Sequence, residues 1–150
     1  MKTRSLHRLR SDRSGATAVE FAAVALPLLM IGFGVMEFGR ALWVEQALAH
    51  VASATARCAG LGLPSCAVSG AYSTTATAAF AQTVGQKWLL PIAANNVTVT
   101  TATSCSGMSG SSAFVQVSVS YNFTSALATL IPALATKSLT GQACFPVGTL

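Results

Sequence analysis

Carboxylates are scarce in this sequence, and after Glu45 there are none. The 150 residues contain four aspartates and glutamates in total, and the only histidine beyond Glu45 is His50. Ser-His-Asp triads, carboxylate pairs for glycoside hydrolysis and oxygen cages for calcium or magnesium all need acidic side chains. Residues 46–150 therefore exclude these chemistries, and we expect a protein that is not an enzyme, has no catalytic residue and needs no cofactor or metal.

Charge of either sign is also low, at 9% of residues, whereas 52% are hydrophobic, which favours membrane association over an ordinary soluble protein. Five of the nine basic residues lie among the first fourteen: Lys2, Arg4, Arg8, Arg10 and Arg13. No aromatic residue accompanies them to stack on bases, so we expect no nucleic-acid partner. The positive-inside rule instead predicts that this end stays in the cytoplasm and that the rest of the chain lies outside.

An apolar run of bilayer length follows, from Ala16 to Met36. As a helix it would rise about 31 Å, which is enough to span a membrane once. Pro27 removes one helical hydrogen bond inside the run, and membrane helices tolerate this where neighbours satisfy the freed carbonyl. Glu20 is the only charged residue in the run, and a carboxylate costs roughly 2.5 to 3.5 kcal/mol at mid-membrane and less near the end. Something should offset that cost.

The start of this run resembles the processing site of type IV prepilins. Gly15 and Ala16 are followed by Glu20 and Phe21, with the acid at the fifth position after the glycine. The resemblance implies that a membrane prepilin peptidase cuts after Gly15 and removes residues 1–15 as a basic leader. It also implies that Glu20 pairs with the freed amino group of a neighbouring subunit during assembly.

The longer pattern resembles the N-terminal block of TadE-like minor pilins, or pseudopilins, of the tight-adherence (Tad, type IVb) pilus. It comprises Val19, Glu20, Phe21, Ala22, Pro27, Glu37, Phe38, Gly39, Arg40, Ala41 and Leu42. The resemblance implies a minor pilin that acts in pilus biogenesis, adhesion or secretion, since the family's major pilin is much shorter. A TadF-like role stays open.

The same resemblance implies the partners and the location. The expected partners are the prepilin peptidase, other pilins and minor pilins, the inner-membrane assembly platform and the lipid bilayer. The expected location is the bacterial inner membrane, crossed once, with a cytoplasmic N-terminus and a periplasmic C-terminal domain that a surface pilus can incorporate.

Two other targeting interpretations compete with a processed pilin. An uncleaved single-pass envelope protein with a structural outer domain needs only the basic residues and the span, but it leaves Gly15 and Glu20 unexplained. An ordinary secretory signal could be cut after Ala49, but three charged residues separate that position from the apolar run. Intact mass distinguishes the first of these, because a product that starts at Ala16 excludes it.

The periodicity predicts an α+β fold in which the long helix continues into a small outer domain. We expect a helix over residues 16–58, with the span over about 16–36, and a domain over 59–150 in which a short helix packs on about three antiparallel strands. The predicted elements are a helix over Thr75–Trp88, a strand from Val97, a strand over Phe114–Phe123 and a strand near Leu139–Phe145. A flexible hairpin connection is expected over residues 105–112, and a helical turn or loop is expected near residues 126–135.

All four cysteines follow the span, on the side that the charge pattern places in an oxidising compartment: Cys58, Cys66, Cys105 and Cys144. Three pairings are possible, and the spacing does not decide among them. We favour Cys58 with Cys66 and Cys105 with Cys144. A zinc site is the rival interpretation, but the sequence contains no C-x-x-C and the spacings are irregular.

Overall fold

The computed structural model describes residues 15–68, 71–105, 108–126, 128 and 136–147, and it confirms the α+β class. The helices are α1 (Ala16–Gly60) and α2 (Thr74–Lys87), and a 3-10 turn covers Ala94–Asn96. The strands are β1 (Ala67–Val68), β2 (Ala71–Tyr72), β3 (Val97–Cys105), β4 (Met108–Thr124) and β5 (Thr136–Pro146). The chain divides into two compact units, one up to Phe38 and one from Gly39 onward, and α1 contributes to both.

The unit up to Phe38 is helical from Ala16 onward. Pro27 lies inside the helix and lacks the amide hydrogen that would bond to the carbonyl of Ala23. The large apolar side chains of this unit are exposed: Val19, Phe21, Val24, Leu26, Leu28, Leu29, Met30, Ile31, Phe33, Val35, Met36 and Phe38. A helix that is apolar on all sides suits a lipid bilayer or burial among other helices.

α1 ends in a turn that depends on glycine. The amide of Leu63 donates to the carbonyl of Cys58 at 3.1 Å, and the amide of Gly62 donates to the carbonyl of Ala59 at 3.1 Å. Gly62 has φ 60°, a left-handed conformation that residues with a side chain adopt only at a cost. The two bonds form a Schellman motif, which satisfies carbonyls that the helix itself leaves without partners.

Local hydrogen bonds also set the ends of α2. Ser73 precedes the helix in an extended conformation, and its hydroxyl accepts a hydrogen bond from the amide of Ala76 at 3.4 Å. Serine is a favoured residue at this capping position. After the last turn, the amide of Leu90 donates to the carbonyl of Gly85 at 2.9 Å, and the intervening Leu89 adopts φ 58°.

Strands β3, β4 and β5 form one antiparallel sheet with β4 in the centre. The alternation predicted for β4 is present, because Val115, Val117 and Val119 are fully buried while the serines between Val117 and Tyr121 are half-buried. Val97 of β3 lies opposite Val119, so the two strands present one shared apolar face. β1 and β2 form a separate two-stranded ribbon.

One cluster of buried side chains joins α1, α2 and the apolar face of the sheet. Its members from α1 are Val44, Ala47, Leu48, Val51, Ala52, Ala56, Cys58 and Ala59. β5 packs closely on α1 at Gly141, where an added Cβ would lie 2.4 Å from the backbone carbon and 2.5 Å from the carbonyl oxygen of Leu48. Only glycine permits this contact between backbones.

Two disulfides fix the ends of these elements. Cys58 bonds to Cys66, eight residues later, and closes the turn after α1. Cys105 bonds to Cys144, 39 residues later, and ties the end of β3 to β5. No cysteine is left free, and these are the two pairings favoured from the sequence.

The β3–β4 connection differs from the flexible segment expected over residues 105–112. β3 runs to Cys105 and β4 begins at Met108, so most of the serine- and glycine-rich segment is strand. The register shifts between Ala102 and Ser104. Ala102 pairs with Phe114 and Ser104 pairs with Ser109, so the extra residues lie on β4, and pairing resumes beyond this irregularity.

The helix predicted over Thr75–Trp88 is present as α2. Val84 belongs to the core, and Phe80 and Trp88 are half-buried and pack against it, whereas Ala79 is exposed. The buried residues of α2 are Thr77, Ala78, Ala81, Val84 and Gly85. The helix turns its small residues inward because it packs closely, as shown at Gly85, where an added Cβ would lie 2.7 Å from the side chain of Ile92. The turn expected over residues 126–135 lies largely outside the described residues.

Candidate functional site

The predicted cleavage site lies at the beginning of α1. Ala16 is the first residue of the helix, and Gly15 precedes it directly. Both residues are exposed, and an added Cβ at Gly15 would meet no atom within 4 Å. The packing of the described chain therefore does not require glycine at position 15. The basic segment before it, residues 1–14, lies outside the described residues.

Glu20 and Phe21 follow one turn later, and both are exposed. On an α-helix, residues four apart are neighbours, with Cβ atoms about 5 to 6 Å apart. Glu20 therefore shares a face with Ala16, and its carboxylate can reach an amino group at that residue. Glu20 makes no hydrogen bond or ion pair with any residue that the structure describes.

Among the described residues, one helix is long and apolar enough to cross a membrane. It is α1, in which the most apolar window of 18 residues has a mean hydropathy of 2.1 and contains no buried residue. The predicted span from Ala16 through Pro27 to Met36 lies within the exposed apolar part of this helix. These properties suggest membrane anchoring.

The Glu37-Phe38-Gly39-Arg40 segment contains the sequence boundary between the two units, which falls after Phe38. Within the unit from Gly39 onward, Arg40 places its guanidinium carbon 4.5 Å from the centre of the Phe123 ring and donates a hydrogen bond to the carbonyl oxygen of Thr124. The cation–π contact and the hydrogen bond hold the end of β4 against α1. The sequence gave no sign of the contacts that Arg40 makes with these two residues of β4.

The four cysteines serve as structural cross-links, since the two disulfides use all of them. Within the described ranges, no three His, Cys, Asp or Glu side chains come together as a group that could hold a metal ion.

The sequence patterns did not identify three buried positions that affect the packing or hydrogen bonding of the core. Thr77 and Thr55 are fully buried; the Thr77 hydroxyl donates to the carbonyl of Cys66 at 3.2 Å, whereas the Thr55 hydroxyl has no hydrogen-bond partner among the described residues. Gly141 forms the contact between β5 and α1. Of these, only Gly141 carried a signal, because glycine inside a strand often marks a close approach of another backbone.

A long apolar helix that leads into a small, disulfide-bonded helix-and-sheet unit suits a membrane-anchored protein. Residues 15–57 match the model of the family described as TadE-like protein, which confirms the resemblance over this segment. The match begins at Gly15 and covers nearly all of α1. No curated protein and no solved structure matches the chain.

Proposed function

We propose that this protein is a minor pilin, or pseudopilin, of a Tad-type pilus, and that it is processed between Gly15 and Ala16. The observation that supports this most directly is the coincidence of three features at one place. The TadE-like match starts at Gly15, the helix starts at Ala16, and the only acid of the apolar segment lies one turn further on. In this proposal the chain has a structural role, without catalysis.

The chemistry of the proposed cut explains the acid. Cleavage after Gly15 creates an α-amino group at Ala16 that is largely protonated at neutral pH. The Glu20 carboxylate can neutralise that amine, in the same chain or in a neighbouring subunit, as both enter an apolar environment. An uncleaved chain has no such cation, so the cost of the carboxylate in the membrane would have no compensation.

Open space around three helix glycines supports assembly through this segment. An added Cβ at Gly32, Gly34 or Gly39 would meet no atom within 4 Å. Glycine destabilises a helix interior by about 1 kcal/mol relative to alanine. No close contact within the described chain requires glycine at these three positions. Small residues let neighbouring helices approach closely within a membrane or a bundle. The proposed neighbours are other pilin subunits, reached through the peptidase and the inner-membrane assembly platform.

N-terminal sequencing and intact mass of the protein recovered from membranes test the processing step. In cells with a working prepilin peptidase, we expect the wild-type chain to begin at Ala16 and a Gly15→Asp variant to keep its leader. A wild-type chain that retains Met1 in such cells would contradict the proposal and favour the uncleaved envelope protein.

Glu20→Gln tests the assembly step separately from the cut. We expect normal cleavage and reduced piliation, because the amine at Ala16 loses its partner carboxylate. Glu45→Gln is the matched control, since it removes another exposed carboxylate from α1 outside the apolar segment, and it should leave piliation unchanged. Normal piliation by Glu20→Gln would exclude the proposed pairing.

A further inference from the structure

A shallow groove of about 490 Å³ opens on the unit from Gly39 onward. α1, the turn that follows it, α2 and β5 all contribute to its lining, which includes Ser53, Arg57, Leu63, Phe80 and Phe145. Most of the lining is apolar, Leu63 is exposed, and both phenylalanines are only half-buried. The volume lies within the range of clefts that bind small ligands and anchor side chains.

The Arg57 side chain lines this groove and has no acidic partner among the described residues. Arg57 is exposed in the last turn of α1, and its side chain has no hydrogen bond or ion pair with any described residue. The negative end of the helix dipole stabilises a positive charge at this position. The five N–H donors of the guanidinium group nevertheless remain available to a partner or to water. The sequence contains no carboxylate side chain after Glu45, so no residue that follows Arg57 can pair with it through an acidic side chain.

The charge of this unit indicates what kind of occupant the groove fits. Residues 39–150 contain four basic side chains, Arg40, Arg57, Lys87 and Lys137, against the single acid Glu45. Two such units repel each other, whereas an acidic partner is attracted. The charge therefore argues for a different protein and against a second copy of this chain.

We propose that the groove is a docking site for an acidic, apolar peptide segment of a different protein. An apolar side chain of that segment lies against Leu63 and Phe80, and an adjacent carboxylate pairs with Arg57. The groove belongs entirely to the unit from Gly39 onward, so the proposal does not rest on processing at Gly15.

Two synthetic peptides test the proposal with the full chain in nanodiscs of neutral phosphatidylcholine. One is acetyl-Ala-Leu-Phe-Ala-Glu-Leu-Ala-amide, and the other has glutamine in place of the glutamate. Each carries the same neutral fluorophore, and binding is measured by fluorescence anisotropy. We expect saturable binding of the acidic peptide and about two- to fivefold weaker binding of its glutamine counterpart, as for an exposed ion pair.

Two pairs of variants locate the binding. Arg57→Gln should bring the acidic peptide down to the affinity of the glutamine peptide, while Lys87→Gln removes an equal charge outside the groove and should keep the difference. Ser53→Trp fills the groove from its exposed rim and should abolish binding. Gln46→Trp adds the same bulk at an exposed position of α1 away from the groove and should not.

Three results would overturn the proposal: no saturable binding of the acidic peptide, equal binding of the two peptides, or full binding by Ser53→Trp. Sedimentation of the full chain in detergent tests whether a second copy of this chain occupies the groove instead. Self-association that Ser53→Trp abolishes and Gln46→Trp preserves would assign the groove to a second copy. A Gly15→Asp chain should bind the acidic peptide as the wild type does, so failure of the processing proposal stays distinguishable from failure of this one.

Discussion

At the scale of single residues, two buried threonines show how the same side chain can stabilise or destabilise one core. Thr77 and Thr55 are both fully buried. The Thr77 hydroxyl donates to the carbonyl of Cys66, whereas the Thr55 hydroxyl has no partner among the described residues. A buried polar group without a hydrogen bond loses its contact with water and gains nothing in return.

We therefore predict opposite effects from one substitution at these positions. Thr55→Val should raise the free energy of unfolding by about 1 kcal/mol, because it replaces an unpaired hydroxyl with a methyl group of similar size. Thr77→Val should lower it by about 1 kcal/mol, since it removes one of two hydrogen bonds to the Cys66 carbonyl, to which the amide of Ser73 still donates at 2.8 Å. Urea titration followed by tryptophan fluorescence measures both, because Trp43 and Trp88 lie in the unit from Gly39 onward. Effects of the same sign would contradict the hydrogen-bond assignment.

At the scale of elements, the packing of β5 on α1 depends on the missing side chain at Gly141. An added Cβ would meet the backbone of Leu48 and Ala49, which cannot rotate away as a side chain could. The strand would have to move, and the contacts of the apolar face of the sheet with α1 would move with it.

Gly141→Ala should accordingly lower the free energy of unfolding by about 3 kcal/mol or more. Gly39→Ala is the matched control, since an added Cβ there meets no atom within 4 Å and alanine favours the helix by about 1 kcal/mol. Thermal unfolding monitored by tryptophan fluorescence compares the two variants with the wild type. A tolerated Gly141→Ala would mean that β5 does not approach α1 as closely as the structure shows.

Elements with strong local patterns were predictable from the sequence. The strict alternation of β4 and the long apolar run of α1 identify their elements without any knowledge of their neighbours. The burial of Gly85 in α2 was not predictable, because this glycine packs against Leu90 and Ile92, which both lie beyond the end of the helix. The end of β3 was missed for a similar reason: the pairing of Cys105 with Met108 overrides the flexible composition of the segment.

The candidate site likewise has local features that the sequence predicts and long-range contacts that it does not. Gly15, Ala16 and Glu20 lie within one short stretch, so their spacing alone carried the interpretation. Arg40 lies far along the chain from its partners Phe123 and Thr124, and the groove takes its lining from four separate segments. Composition and periodicity do not report such distant pairings.

At the scale of the whole unit, two disulfides stabilise the fold by different amounts. A disulfide restricts the unfolded chain, and the effect grows with the length of the closed loop. The Cys58–Cys66 bond closes a separation of 8 residues, and the Cys105–Cys144 bond closes one of 39. The second therefore contributes more.

Reduction of two double variants separates these contributions. With Cys58 and Cys66 both changed to alanine, only the long-range bond remains, and dithiothreitol should lower the free energy of unfolding by about 4 kcal/mol. With Cys105 and Cys144 both changed to alanine, the loss on reduction should be about 2.5 kcal/mol. Each variant serves as its own control, because its oxidised and reduced forms have the same sequence and differ only in the remaining disulfide. Equal losses would show that loop length does not govern the difference.

The scarcity of acids in the unit from Gly39 onward has a consequence for its tolerance of low pH. Acid unfolds most proteins by protonating carboxylates that the native state has paired or hydrogen-bonded. Glu45 is the only acidic side chain in this unit, and it is exposed and makes no ion pair with any described residue. Apolar packing, backbone hydrogen bonds and two covalent cross-links hold the unit together, and none of these is weakened by added protons. The described part of this unit therefore offers acid no paired carboxylate whose loss would unfold it.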